Sequence, residues 1–151
     1  LSAFIGIKRR MEPIYSERGL TIYDDFAHHP TAIKTTLEGL RAKVGDDHIM
    51  AGIEPRSATM KLGIHQQALG QSVVDSDQVL WFQNANIGWD LLSMAKEISI
   101  SSTVFQDIDS LLAAIVKAKD ALQNARQSVH IVIMSNGGFG GLHQLLLEKL
   151  R

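Results

Sequence analysis

The densest concentration of groups able to do chemistry is Asp24-Asp25-Phe26-Ala27-His28-His29-Pro30, which sets two acids and two imidazoles within six positions. The residues before it are β-prone, and side chains alternate along a strand, so Asp24 and Asp25 point to opposite faces and only one of them can face a crevice. Pro30 suits the first turn of a helix, where its missing N–H is not needed. The histidines then stand at the positive end of that helix, where the dipole favours anions and keeps imidazole neutral. A phosphate or a ribose fits this arrangement. The competing reading is structural, with Asp25 and His29 capping the helix and satisfying each other. A metal site is disfavoured, because adjacent histidines rarely converge on one ion and the spacing offers no further ligand.

Other candidates are weaker on local grounds. Arg56 follows an apolar strand-like run, where a guanidinium fork can grip a carboxylate bidentately or simply meet solvent. Arg9-Arg10 reads locally as a solvated basic pair. Ser135-Asn136-Gly137-Gly138-Phe139-Gly140-Gly141 can present backbone N–H groups to an anion, but it is not a G-x-G-x-x-G fingerprint and follows the last strand rather than the first. The chain contains no G-x-x-x-x-G-K-[ST] phosphate loop, no G-x-S-x-G elbow and no H-E-x-x-H pair. His48 and His130 open strands and read as structural, and Trp81, Phe82 and Trp89 read as packing residues ahead of a ligand platform.

The elements that must position these residues follow from periodicity. Pro13–Tyr15 and Leu20–Asp24 are short β-prone runs joined through Gly19, which predicts a hairpin. From Pro30, the residues Ile33, Leu37, Leu40 and Val44 recur at helical spacing. His48–Ile53, Gln78–Gln83, Ile98–Phe105 and Val129–Met134 read as strands. Met60–Gln71, Trp89–Glu97, a segment capped by Asp107 or Asp109, and Leu142–Leu150 read as helices. The order β-β-α-β-α-β-α-β-α-β-α, with strands apolar throughout, implies an α/β fold of three layers. Its mostly parallel sheet is covered on both faces, joined by right-handed crossovers and extended by one antiparallel strand. Ligands in such folds meet the loops beyond the carboxyl ends of the strands, here those after Asp25, Ile53, Phe82 and Ser135.

Composition narrows the classes. A chain of 151 residues, 45% hydrophobic and 21% charged, is the size and balance of one globular domain. With no cysteine it has no disulfide, thiol nucleophile or thiolate metal site, and a reducing compartment, the cytoplasm, is expected. Lys plus Arg at 15 against Asp plus Glu at 16 leaves a net charge of −1, so nucleic acid is not an expected partner. Apolar runs such as Ile131–Met134 fall far short of the roughly 20 residues that cross a bilayer, and no membrane partner is expected. Leu1 is not an initiator Met, and the chain reads as a piece of something longer.

Taken in order, Gly6-Ile7-Lys8-Arg9-Arg10-Met11-Glu12, Asp24-Asp25-Phe26-Ala27-His28-His29-Pro30-Thr31 and Glu54-Pro55-Arg56-Ser57 resemble the C-terminal domain of the Mur ligase family. The resemblance covers residues 1–151 and implies a Rossmann-like three-layer domain with a sheet of about six strands, one of them antiparallel. Within the family, Ala27 and Ser135–Gln144 look most like the branch that joins UDP-N-acetylmuramate to the murein tripeptide L-Ala-γ-D-Glu-meso-diaminopimelate in peptidoglycan recycling. The alternatives are the branch that adds L-alanine, which usually has Gly where Ala27 stands, and a non-catalytic nucleotide- or peptide-binding module.

The resemblance further implies ATP-dependent amide formation through an acyl phosphate. ATP and Mg²⁺ would be held mainly by a central P-loop domain, with an N-terminal domain for the UDP-sugar; neither domain is in this chain. By position, Arg10, Asp25 and His28 resemble the family's nucleotide-binding residues, with Asp25 on the ribose. Arg56 matches a loop arginine that grips the incoming amino acid in a relative, within Ile53-Glu54-Pro55-Arg56 where that relative has Asp-Asn-Pro-Arg. Ser135, Asn136, Gly137 and Gly138 are the further candidates for the peptide. No catalytic residue and no metal ligand is expected in this domain, and the isolated chain is expected to be silent.

Overall fold

The computed structural model describes residues 11–27, 29–55, 63–83, 91–135 and 139–150. The candidates Arg10, His28, Arg56, Asn136, Gly137 and Gly138, together with Trp89, lie outside the described residues. In chain order the elements are β1 (Glu12–Glu17), β2 (Leu20–Asp25), α1 (Pro30–Val44), β3 (His48–Ile53), α2 (Gly63–Ser72), β4 (Gln78–Phe82), α3 (Leu91–Lys96), β5 (Ser101–Phe105), α4 (Ile108–Asn124), β6 (Val129–Met134) and α5 (Leu142–Lys149). The strands form one 6-stranded sheet in the order β1-β2-β6-β3-β4-β5. β1 runs antiparallel to β2, and every other neighbouring pair is parallel.

Local chemistry explains these elements. Arg18 and Gly19 both take positive φ, 54° and 75°, as a two-residue hairpin turn between twisted strands requires. β3 and β6 are buried on both faces and accordingly read as nearly unbroken apolar runs. Asp107, not Asp109, caps α4: its side chain accepts a hydrogen bond from the Ser110 amide at 2.8 Å. β5 begins at Ser101 rather than Ile98. The Ile98 amide instead closes the end of α3 on the Ala95 carbonyl, and its side chain packs on the core beside Gly70.

Alternation along the strands divides the core between two faces. Tyr23, Ile49, Ala51, Ile53, Val79, Trp81, Val132 and Met134 meet Ile33, Leu37 and Leu40 of α1, Leu69 of α2, and Met94 and Ala95 of α3. On the opposite face Leu20, Ile22, Met50, Leu80, Ile131 and Ile133 meet Leu111, Leu112 and Ile115 of α4 and Leu142 and Leu146 of α5. The chain moves one way across the sheet through α1, α2 and α3 and returns over α4, so right-handed crossovers put α4 on the other side. Trp81 is a core residue whose Nε1 donates to Ser102 Oγ at 2.8 Å, and Phe82 packs on Phe139 with ring centroids 5.7 Å apart.

The amino ends of the strands carry a polar clasp. Arg41 of α1 donates to the carbonyls of Asp75, Gly45 and Asp47 and to the Asp77 carboxylate at 2.8 to 3.0 Å. His130 bridges Asp47, at 3.0 Å from Nε2, and the Tyr23 hydroxyl, at 3.3 Å from Nδ1, while His48 pairs with Gln78. Burial pushes the Tyr23 phenol above its ordinary range, against the opposing effect of a hydrogen bond with Thr21. Both histidines thus have structural partners, at the opposite end of the sheet from Asp25.

Candidate functional site

The topology puts a crevice where β2, β6 and β3 end. β6 lies between β2 and β3. The chain leaving β2 enters α1, and the helix after β3, α2, packs on that same face; the chain leaving β6 enters α5 on the other face. Loops that diverge to opposite faces from adjacent parallel strands leave an opening at the carboxyl edge, the usual place for a ligand in such a sheet. Asp25 and Ile53 both stand opposite Met134 in the strand register, so the three strand ends are level. They are also stitched sideways. The Ser135 amide donates to the Asp25 carbonyl at 3.2 Å, the Glu54 amide to the Met134 carbonyl at 3.0 Å, and Ser135 Oγ to Glu54 Oε1 at 2.8 Å.

Asp24 and Asp25 do point to opposite faces. Asp24 turns toward α5, where its Oδ1 lies 3.0 Å from His143 Nε2. Asp25 turns toward α1 and is only 2% exposed. Its Oδ1 accepts from the Ala27 amide at 2.7 Å and its Oδ2 from the Met11 amide at 2.9 Å. The carboxylate therefore shapes the turn out of β2 and holds the backbone entering β1 beside it. This is not the helix-capping role weighed from sequence: His29 is the N-cap of α1, Pro30 opens the helix, and the His29 side chain makes no capping hydrogen bond.

A cleft of about 500 Å³ opens beside Asp25, lined by Met11, Phe26, His29, Thr31 and Thr35 among others, at the positive end of the 15-residue α1. Phe26 is 43% exposed on this surface, a large apolar side chain beside polar neighbours. The arrangement offers a helix dipole, hydroxyls and an apolar ring to one ligand, a combination suited to an anion carrying a flat or ringed body. Among the described residues no group of three or more His, Cys, Asp or Glu is placed to hold a metal ion, and no helix is long and apolar enough to cross a membrane.

Of the site residues predicted from sequence, Asp25 and Ser135 are described and lie together, joined through the Ser135 amide and the Asp25 carbonyl. The end of β4 lies a strand further out, and the Gln83 amide beyond it bonds to the Phe105 carbonyl at 2.8 Å, toward β5. Two pairs escaped the sequence reading: Glu54 with Ser135, and Asp24 with His143. Their members are 81 and 119 residues apart, and no spacing rule links them; only the strand order does.

Comparison with known proteins adds a family likeness. A family model described as Mur ligase, glutamate ligase domain, matches residues 9–137. The chain is 44% identical over 151 residues to the UDP-N-acetylmuramate:L-alanyl-gamma-D-glutamyl-meso-2,6-diaminoheptandioate ligase of Escherichia coli (strain K12), covering 99% of this chain and 32% of the relative. The ligase of the same name from Haemophilus influenzae is 39% identical, with 100% of this chain and 32% of the relative covered. The chain thus spans about a third of the length of these relatives. A UDP-N-acetylmuramate:L-alanine ligase of Desulfitobacterium hafniense is 45% identical, but over 53% of this chain and 18% of its own length. Among solved structures, a murein peptide ligase from Psychrobacter arcticus superposes with a TM-score of 0.78 at 42% identity, over 95% of this chain and 30% of that one.

Proposed function

Because the chain belongs to the Mur ligase family, matching its glutamate ligase domain, we propose that it is the C-terminal part of an ATP-dependent ligase joining UDP-N-acetylmuramate to L-Ala-γ-D-Glu-meso-diaminopimelate in peptidoglycan recycling. The observation that carries this choice is coverage: the relatives named for the tripeptide align over 99% and 100% of the chain, the L-alanine ligase over 53%. An N-terminal UDP-sugar domain and a central P-loop domain of the same polypeptide complete the enzyme, which works in the cytoplasm. In this reading the muramate carboxylate attacks the γ-phosphorus of ATP, releasing ADP and forming an acyl phosphate. The tripeptide amine then attacks the acyl carbon, expels phosphate and gives up a proton as the amide forms. Mg²⁺, held mainly by the central domain, neutralises charge on the transferring phosphoryl group.

This domain's part is to bind and orient. Arg10, Asp25 and His28 serve the nucleotide side, and the support is Asp25's place at the edge of the cleft by the positive end of α1, with its carboxylate holding the amide of Met11, the residue after Arg10. Arg56, Ser135, Asn136, Gly137 and Gly138 serve the peptide, Arg56 on one of its carboxylates. The Glu54–Ser135 hydrogen bond supports treating the segments after β3 and β6 as one surface. No residue of this domain takes part in bond making, so the chain alone is inactive.

The deciding experiment is ATP-dependent phosphate release by the full-length protein with UDP-N-acetylmuramate and either the tripeptide or L-alanine. Turnover with the tripeptide is the expected outcome. Turnover with L-alanine only would move the protein to the other branch, and turnover with neither would leave a binding module.

A further inference from the structure

Asp24 is placed by strands on both sides. It stands opposite Glu12 in β1 and Ile133 in β6, inside two ladders. Asp25 beyond it is fixed separately, by the Ala27 and Met11 amides. α5 is held chiefly by apolar packing. It has 8 residues, too few to be a stable helix without its packing, and its N-cap Gly141 makes no side-chain capping bond. Phe139, Gly140 and Gly141 before it all take positive φ, at 50°, 59° and 78°. Leu142 and Leu146 bury α5 in the core, but apolar contacts are not directional and set depth better than rotation. The His143–Asp24 bond is directional, joins the first turn of α5 to the end of β2, and is partly shielded, with side chains 21% and 18% exposed.

We propose that Asp24 and His143 form a positioning pair, which holds the α5 end of the segment after β6 against the strand that carries Asp25. The inference rests on the reading of Ser135–Gly138 as peptide-binding. The placement is asymmetric: β2 keeps its ladders and Asp25 its amide partners when the bond is cut, whereas α5 loses a directional tether. The loss therefore falls on the peptide and spares the nucleotide.

The test uses the full-length ligase with His143→Leu, which keeps bulk and removes the donor, and His143→Gln, whose amide can reach where Nε2 stood. Removing one such hydrogen bond is expected to raise the tripeptide KM about tenfold while the ATP KM stays within about twofold, and the Gln variant to recover most of the difference. In hydrogen exchange, His143→Leu should quicken residues 139–144 and leave 24–27 protected. An unchanged tripeptide KM would overturn the proposal. So would peptide and ATP KM rising together with a fall in Tm and no rescue by Gln, the mark of a purely structural contact. If the unmutated ligase does not use the tripeptide, the functional reading fails instead. The exchange pattern then decides the pair alone, and equal change in both segments, or none, refutes it.

Discussion

Asp25 has a structural role that its hydrogen bonds show and a proposed nucleotide role, and a substitution can separate the two. Its carboxylate accepts two backbone amides in a nearly closed environment, so Asp25→Ala leaves both donors without that partner, at a cost of roughly 1–3 kcal/mol for each one left unsatisfied. In the full-length ligase the same change should raise the ATP KM and leave the peptide KM nearer its original value; Arg56→Ala should do the reverse. Steady-state kinetics with a melting curve for each variant check both. A normal ATP KM in a destabilised Asp25→Ala protein would reduce Asp25 to a scaffold residue. Asp77 supplies a pH dependence. Burial acts to raise its pKa, but hydrogen bonds from the Ile49 amide and Arg41, with the Arg41 charge, outweigh it and leave the pKa below the ordinary value. A group lowered on folding stabilises above its unfolded pKa, about 3.9, and loses that contribution as pH falls through the folded value. Urea unfolding should therefore show stability falling below about pH 4, and Asp77→Asn should flatten part of that fall. The opposite facing of Asp24 and Asp25 was legible in sequence, from the alternation of side chains along a strand. His143 and Glu54 were not, because each acquires its meaning from a partner that only the strand order brings near.

At the scale of elements, the turn into α5 is the most exacting. Gly140 has φ of 59°, and a Cβ there would stand 2.5 Å from Ile108 Cγ1. Gly140→Ala thus meets both a disfavoured backbone and a clash at the start of α4, and should lower stability by about 1–3 kcal/mol, read as a shift in the urea midpoint. Gly141→Ala, with no atom within 4 Å of the added methyl, should cost only the backbone part. The elements themselves were readable because the central strands are buried on both faces and so cannot hide polar residues. The hairpin was readable because Gly19 marks it. Ile98 misled because an apolar residue after a short helix can close that helix against the core as readily as open a strand; periodicity does not distinguish the two.

At the scale of the molecule, the sheet order explains why Asp25, near the start of the chain, and Ser135, near its other end, stand at one edge. β6 enters last yet sits between β2 and β3. No periodicity in the sequence states that insertion, although the alternation of elements made a parallel sheet legible and the family resemblance implied its form. In the proposed division of labour most phosphate contacts come from the central domain. The isolated chain should then bind ATP-Mg²⁺ with a Kd no better than roughly millimolar, about −4 kcal/mol, in a titration followed by amide NMR; tight binding would argue for a self-sufficient nucleotide site.

Strand β1, at one rim of the described sheet, reads Glu-Pro-Ile-Tyr-Ser-Glu, with a register shift between Pro13 and Tyr15. A proline that cannot donate, a local irregularity and an acid at each end make a poor template for a foreign strand. A sheet so hydrophobic at its centre would otherwise invite another chain to extend it from this rim. The sequence at this rim thus discourages edge-to-edge association through β1.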